Sequence, residues 1–197
     1  MNTLVDHLAP PTALTHGRLR NWIRIAGRSL AYCALLLPLS LVSLFAAVIG
    51  RQRWTVASWR WLRTRLLDLP AVPEGRPRTR AVAGHAMGSL LLGVMAVVPL
   101  GVEVLWLLRA VLYGFVDSGP YDHSWGGPTR GGAWVAHFLI GTPEALAGLA
   151  ALAGIAALHQ RLTAALDGAR TPRWLMPTVV VAGLATALLF VAWTRQL

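Results

Sequence analysis

Four long runs of apolar residues dominate the chain, at about 30–50, 82–115, 132–158 and 174–193. Each has the roughly 20 apolar residues that a helix needs to cross a bilayer, at about 1.5 Å of rise per residue. The pattern therefore predicts an all-α polytopic membrane bundle of about four transmembrane helices, forming one membrane domain over 30–197. Between the first two runs, RQRWTVASWRWLRTRLLDL (51–69) sets Trp and Leu among Arg at helical spacing. That pattern predicts an amphipathic helix lying in the membrane interface. Residues 1–29 read as a flexible basic segment, and PAVPEGRPRTR (70–80) as a linker.

Prolines complicate the runs. Pro38 lies near the middle of the first, which either spans with its N-terminus outside or dips in and returns. Thr142-Pro143-Glu144 and Thr171-Pro172 both pair a cap residue with proline at a first helical position. The second pair begins the last span. The first lies inside the third run and predicts a kink near Gly141.

Composition strengthens the membrane reading. Only 13% of the 197 residues are charged, about half the usual soluble share of ~25%. The expected location is the cell membrane, crossed several times. All 18 basic residues are arginine, as expected from a GC-rich genome. The loop 114–133 carries only Arg130, whereas 51–80 carries eight arginines and 159–173 three. The positive-inside rule then puts that loop outside and the basic segments in the cytoplasm. The net charge of +10 flanks apolar spans, which points to anionic lipid headgroups and not to nucleic acid. Arg51, Arg53, Arg60, Arg63 and Arg65, with Trp54, Trp59 and Trp61, are the candidate lipid-binding residues. Cys33 stands alone inside a run, so no disulfide or CxxC pair arises. The first run lacks a small-residue cleavage site and reads as a membrane segment.

Ionisable residues inside the spans are the main candidate chemistry, because such groups are costly in lipid and face the bundle interior. If the second and third runs form an antiparallel hairpin, Glu103 falls at the depth of Glu144, Arg109 of His137, and His85 of His159. Glu103 and Glu144 would share a proton, forming a proton- or cation-responsive site. The competing reading is a buried network in which Arg109 neutralises one glutamate. Around the loop YDHSWGGPTRGGAW (121–134), Tyr121, Asp122, His123 and Trp125, with Asp117 just before it, form a candidate external ligand mouth. No HxH, HxxxH or HExxH spacing accompanies them, so no metal site is assigned. The same loop also reads as a specified turn, with Gly126-Gly127-Pro128 supplying its geometry and Trp125 and Trp134 an interfacial belt. Small residues at four-residue spacing (Gly84/Gly88, Ala147/Ala151, Ala150/Gly154, Ala153/Ala157) suit close helix packing, within the chain or at the face of a homo- or hetero-oligomer.

RSLAYCALLLPL (28–39), YGFVDSGPYDHSWGGPTRGGAWVAH (113–137) and LHQRLTAALDG (158–168) resemble the sensor membrane domain of actinobacteria, which often precedes a histidine kinase. The resemblance covers about 28–168, and SWGGPT…GAW is its most specific part. A fourth apolar run follows where the kinase version carries a dimerisation helix, a phospho-acceptor histidine and an ATP-binding domain. The resemblance therefore implies a sensor-like module signalling through a partner protein. A small transporter or transport accessory subunit using Glu103 and Glu144 is the main rival, and a membrane scaffold a third. No phosphate-cradling loop or nucleophile elbow appears, so the expectation is a protein without catalysis or cofactor.

Overall fold

A computed structural model describes residues 11–68, 79–167 and 172–195. The described residues are helical almost throughout, in the order α1 (Pro11–Val48), α2 (Gln52–Leu67), α3 (Thr79–Trp106), a π-helical turn (Leu107–Val111), α4 (Tyr113–Val116), α5 (Arg130–Ala164), a 3-10 turn (Ala165–Asp167) and α6 (Leu175–Thr194). Four helices are long and apolar enough to cross a membrane, over Arg18–Val48, Gly84–Val111, Arg130–Ala164 and Leu175–Ala192. The protein is thus an all-α bundle with the composition of a multi-pass membrane protein.

The first helix departs from the expected boundaries. It begins at Pro11, which suits a first helical position because proline lacks the N–H that would go unbonded there. It then runs unbroken through residues 18–29, where a flexible segment was expected, and through Pro38. The alternative in which the chain turns back around Pro38 is not what the structure shows. The return comes instead at Ile49–Arg51, where Gly50 adopts φ +79°, a conformation that glycine tolerates without steric cost. Residues 1–10 and 69–78 lie outside the described residues.

After this turn α2 folds back along α1 as an antiparallel hairpin. The Thr55 hydroxyl donates to the Ser43 carbonyl at one end, and Arg28 pairs with Asp68 at the other. Helix α2 is amphipathic as expected, yet its inner face is part of the bundle. Thr55, Val56, Trp59, Leu62 and Arg63 recur at helical spacing and are buried.

The core collects side chains from α1, α2, α3, α5 and α6. Tyr32, Cys33 and Leu36 meet Trp59, Leu62, Leu92, Leu152, Ile155, Leu175 and Val179. Close approach of α1 to α3 depends on Gly93, where a Cβ would stand 2.8 Å from the Leu37 Cα. Gly88 likewise lies under Leu162, whereas Gly84 and Gly154 have open space. Ala147, Ala150, Ala151, Gly154 and Ala157 are exposed on the outer face of α5, so this small-residue stripe is not packed within the chain.

The α3/α5 hairpin holds the expected depth register. Gly141 lies beneath Trp106, and His85 meets His159 with ring centroids 5.2 Å apart. Thr142 does not cap a helix. Helix α5 is continuous through Pro143, and the Thr142 hydroxyl donates back to the Phe138 carbonyl at 2.6 Å. The α5 cap is Thr129, whose Oγ1 accepts from Gly132 N–H at 3.1 Å. The last span begins at Leu175, just after Pro172; Thr171 lies outside the described residues.

Candidate functional site

Helix α3 does not end as a regular α-helix. Over Leu107–Val111 it widens into a π-helical turn, with Leu112 N–H bonding the Leu107 carbonyl at 2.8 Å. Such one-turn bulges re-aim side chains and recur at functional sites. Here the turn carries Arg109, and the Ala110 carbonyl accepts the Trp134 indole N–H at 2.7 Å. A cavity of about 790 Å³ opens beside it, between α3 and α5 and under the loop. Arg109, His123, Trp125, His137 and Glu144 all line it, with Trp106 and Tyr113 among the apolar walls.

His137 is oriented within this cavity. Its Nδ1–H donates to the Ala133 carbonyl at 2.8 Å, and its ring stacks on Tyr113 at 4.3 Å and 17°. The Nε2 atom is the ring's remaining polar position. Arg109 has no carboxylate within ion-pair distance among the described residues. Glu144 is exposed in the same cavity, so one cation and one anion share an apolar recess without neutralising each other.

Glu103 lies elsewhere. Its Oε1 rests against Gly148, where a Cβ would approach to 2.5 Å, and it has no hydrogen-bond partner. Among the described residues no hydrogen bond joins Glu103 to Glu144 or Arg109. Four residues, about one helical turn, separate Gly148 from Glu144 along α5. The glutamates thus occupy different surroundings, and the expected bonded pair is not formed. Residues four apart share one face of a helix, so the Glu103 carboxyl is displaced from Glu144 by about one turn along α5.

The loop is a built structure. Gly119 N–H donates to Asp117 Oδ1 at 2.9 Å, and the Tyr121 hydroxyl to the Asp117 carbonyl at 2.7 Å. The Gly119 hydrogen bond holds the Asp117 carboxyl below the usual aspartate range, with Arg109 and His137 acting in the same direction. A depressed folded-state value contributes stability above the ordinary aspartate range, lost as pH falls through the lower folded value. Asp117 therefore stays ionised through neutral and mildly acidic pH. Asp122, His123 and Trp125 are exposed; His123 and Trp125 reach the cavity, whereas Asp117, Tyr121 and Asp122 shape the loop around it.

Gly126 and Gly132 fasten the loop to α5. Gly126 has φ +96°, and a Cβ there would stand 2.1 Å from the Gly132 carbonyl oxygen. Gly126→Ala should cost about 1–3 kcal/mol through forced displacement of backbone, visible as a lower unfolding midpoint. Gly127→Ala, also left-handed but facing open space, should cost less. Equal costs would mean that backbone conformation, and not the Gly126–Gly132 contact, is what the loop needs.

A second polar cluster is buried where α1, α2, α3 and α5 meet. Ser89 donates to the His85 carbonyl at 2.7 Å, leaving its oxygen to accept His159 Nε2–H at 2.9 Å. His159 Nδ1 then accepts the Tyr32 hydroxyl at 2.5 Å. Thr163 donates to the His159 carbonyl at 2.9 Å and accepts His85 Nε2–H at 3.2 Å. Trp59 covers both imidazoles, at 4.7 Å from His159 and 5.4 Å from His85. Each hydroxyl and imidazole donor of the cluster has an acceptor with both rings neutral, whereas the buried Trp59 Nε1 has no hydrogen-bond partner. Depth matching of His85 and His159 foreshadowed this cluster. The part of Tyr32 and Trp59 was missed, since it requires the α1–α2 hairpin.

That hairpin also redistributes the expected lipid-binding set. Trp59 and Arg63 are buried, and Arg60 and Arg63 both bind Asp167, with N–O distances of 2.8 and 3.0 Å. Only Arg51, Arg53, Trp54, Trp61 and Arg65 face outward. Among the described residues no group of three or more His, Cys, Asp or Glu is arranged to hold a metal. No protein-family model, curated protein or solved structure matches the chain.

Proposed function

We propose that the protein is a sensor-like integral membrane module that receives a small molecule in the α3/α5 cavity and acts through a partner protein. The observation that carries this reading is the π-helical turn, which presents Arg109, with no carboxylate within ion-pair distance among the described residues, to an aromatic-walled recess of about 790 Å³. That volume falls within the range of small-molecule sites, about 300–1,000 Å³. A guanidinium in an apolar recess favours a ligand with an anionic group and an apolar body. His123 and Trp125 close the cavity from a loop anchored to α5, so occupancy couples directly to a membrane-crossing helix. The reading assigns the chain no catalysis.

The transporter reading draws on one further observation, the exposed Glu144 carboxylate in the same cavity. Such a group suits a coupling cation or a cationic substrate. The two readings differ in the sign of the ligand.

Thermal unfolding of the full chain in nanodiscs, with octanoate and octylamine as probes, separates them. The sensor reading expects octanoate to raise the midpoint and Arg109→Gln to abolish that rise. Stabilisation by octylamine alone, removed by Glu144→Gln, would support the transporter. No response to either probe would remove the cavity from the argument. Copurification in mild detergent identifies the partner, a kinase or response regulator on the first reading and an ATPase or permease on the second. The reading also expects Ser118→Cys to react with an impermeant thiol reagent on intact cells, and Thr64→Cys not to.

A further inference from the structure

Facing away from the bundle, α1 and α2 enclose an apolar groove of about 550 Å³. Leu35, Leu39 and Val42 form one wall, and Trp54 and Trp61 stand on the other. Its hydroxyl, on Ser58, is already committed to the Trp54 carbonyl at 2.9 Å, so the groove offers little to water. The α2 residues facing it continue at the same helical spacing into Arg51 at one end and Arg65 at the other, with Arg53 beside the first. These three arginines are exposed and have no carboxylate partner among the described residues. The contrast within α2 is informative. Its inward arginines, Arg60 and Arg63, are both paired with Asp167, whereas its outward ones have no such partner among the described residues.

We infer that this groove is a binding site for anionic phospholipid, with an acyl chain between α1 and α2 and the phosphate at the flanking arginines. Tryptophans at the rim suit this placement, since their rings are apolar with one polar edge and prefer the level of the headgroups. Arg51 and Arg65 are roughly 21 Å apart along the helix, by its rise per residue, so they meet different phosphates. The site therefore holds up to two lipids. Neither the ligand cavity nor its proposed role enters this inference, which stands on α1 and α2 alone.

The test is native mass spectrometry of the full chain, loaded with phosphatidylglycerol or with phosphatidylcholine of identical acyl chains. Phosphatidylglycerol should be retained in preference. Each of Arg51→Gln, Arg53→Gln and Arg65→Gln should lower its retention about fivefold, and the triple variant by more than about tenfold. Trp54→Ala with Trp61→Ala should lower retention of both lipids, because it removes the wall of the groove. Arg18→Gln with Arg20→Gln, which removes exposed charge from α1 away from the groove, should leave the preference intact. Equal retention of the two lipids by the unaltered chain would overturn the site. So would an equal loss in the α1 variant, which would show attraction by net charge alone.

Discussion

Replacing His159 by alanine should destabilise the bundle by about 3–5 kcal/mol, much of the stability of an ordinary domain. Two effects contribute, and their sizes differ. The imidazole holds the Tyr32 hydroxyl at 2.5 Å and Ser89 at 2.9 Å. Interhelical hydrogen bonds within membranes average only about 0.6 kcal/mol, with a maximum near 1.7. The void is larger, because His159 is fully buried against Trp59, His85 and Tyr32, and emptying an aromatic site typically costs about 3–5 kcal/mol. Packing should therefore dominate. Tyr32→Phe, which removes one hydrogen bond and no volume, should cost only about 0.5–2 kcal/mol. Unfolding midpoints in one detergent compare the variants. If Tyr32→Phe proved as damaging as His159→Ala, polar satisfaction and not volume would hold the cluster together.

Much of this architecture is legible in the sequence because lipid constrains a chain so strongly. Backbone polar groups in hydrocarbon must bond within the segment, so long apolar runs become helices. Depth matching across the α3/α5 hairpin also succeeds, since rise per residue is fixed in both helices. It brings His85 to His159 and puts Arg109 and His137 in one cavity. What it does not supply is how far along the partner helix a long side chain reaches. Glu103 Oε1 rests against Gly148, about one turn along α5 from Glu144. The π-helical turn is a further feature that depth matching does not anticipate, with no proline or glycine at Leu107–Val111 to signal it. Helix α2 shows another limit. Its Arg/Trp pattern is amphipathic, but amphipathicity does not say whether the apolar side meets lipid or protein. Asp167, about a hundred residues away in sequence, decides the matter for Arg60 and Arg63. A lone aspartate after an apolar run carries no local sign of that role.

The Asp167 triad yields the other large expected effect, because it ties α2 to the end of α5. Arg60 Nε and Nη2 both approach Asp167 Oδ1 at 2.8 Å, and Arg63 Nη2 approaches Oδ2 at 3.0 Å. The Arg63 and Asp167 side chains are only 7% and 6% exposed, so solvent does little to screen them. Asp167→Leu removes one negative charge and leaves two guanidinium groups facing apolar neighbours and each other. Breaking a buried pair in this way costs about 3–5 kcal/mol. Asp167→Asn should fall at the lower end, since its carbonyl oxygen still accepts a hydrogen bond. The compensating variant is the triple Arg60→Met, Arg63→Met, Asp167→Leu. Exchanging a whole buried ionic cluster for apolar side chains of similar size is often neutral or stabilising, so it should recover most of the loss. Cys33 reports the outcome locally, because it is buried in the core beside Trp59 and becomes reactive to maleimide only when that core opens. Asp167→Leu should speed Cys33 modification, and the triple variant should slow it again. Unchanged reactivity in Asp167→Leu would mean that Trp59 packing alone holds α2 in place.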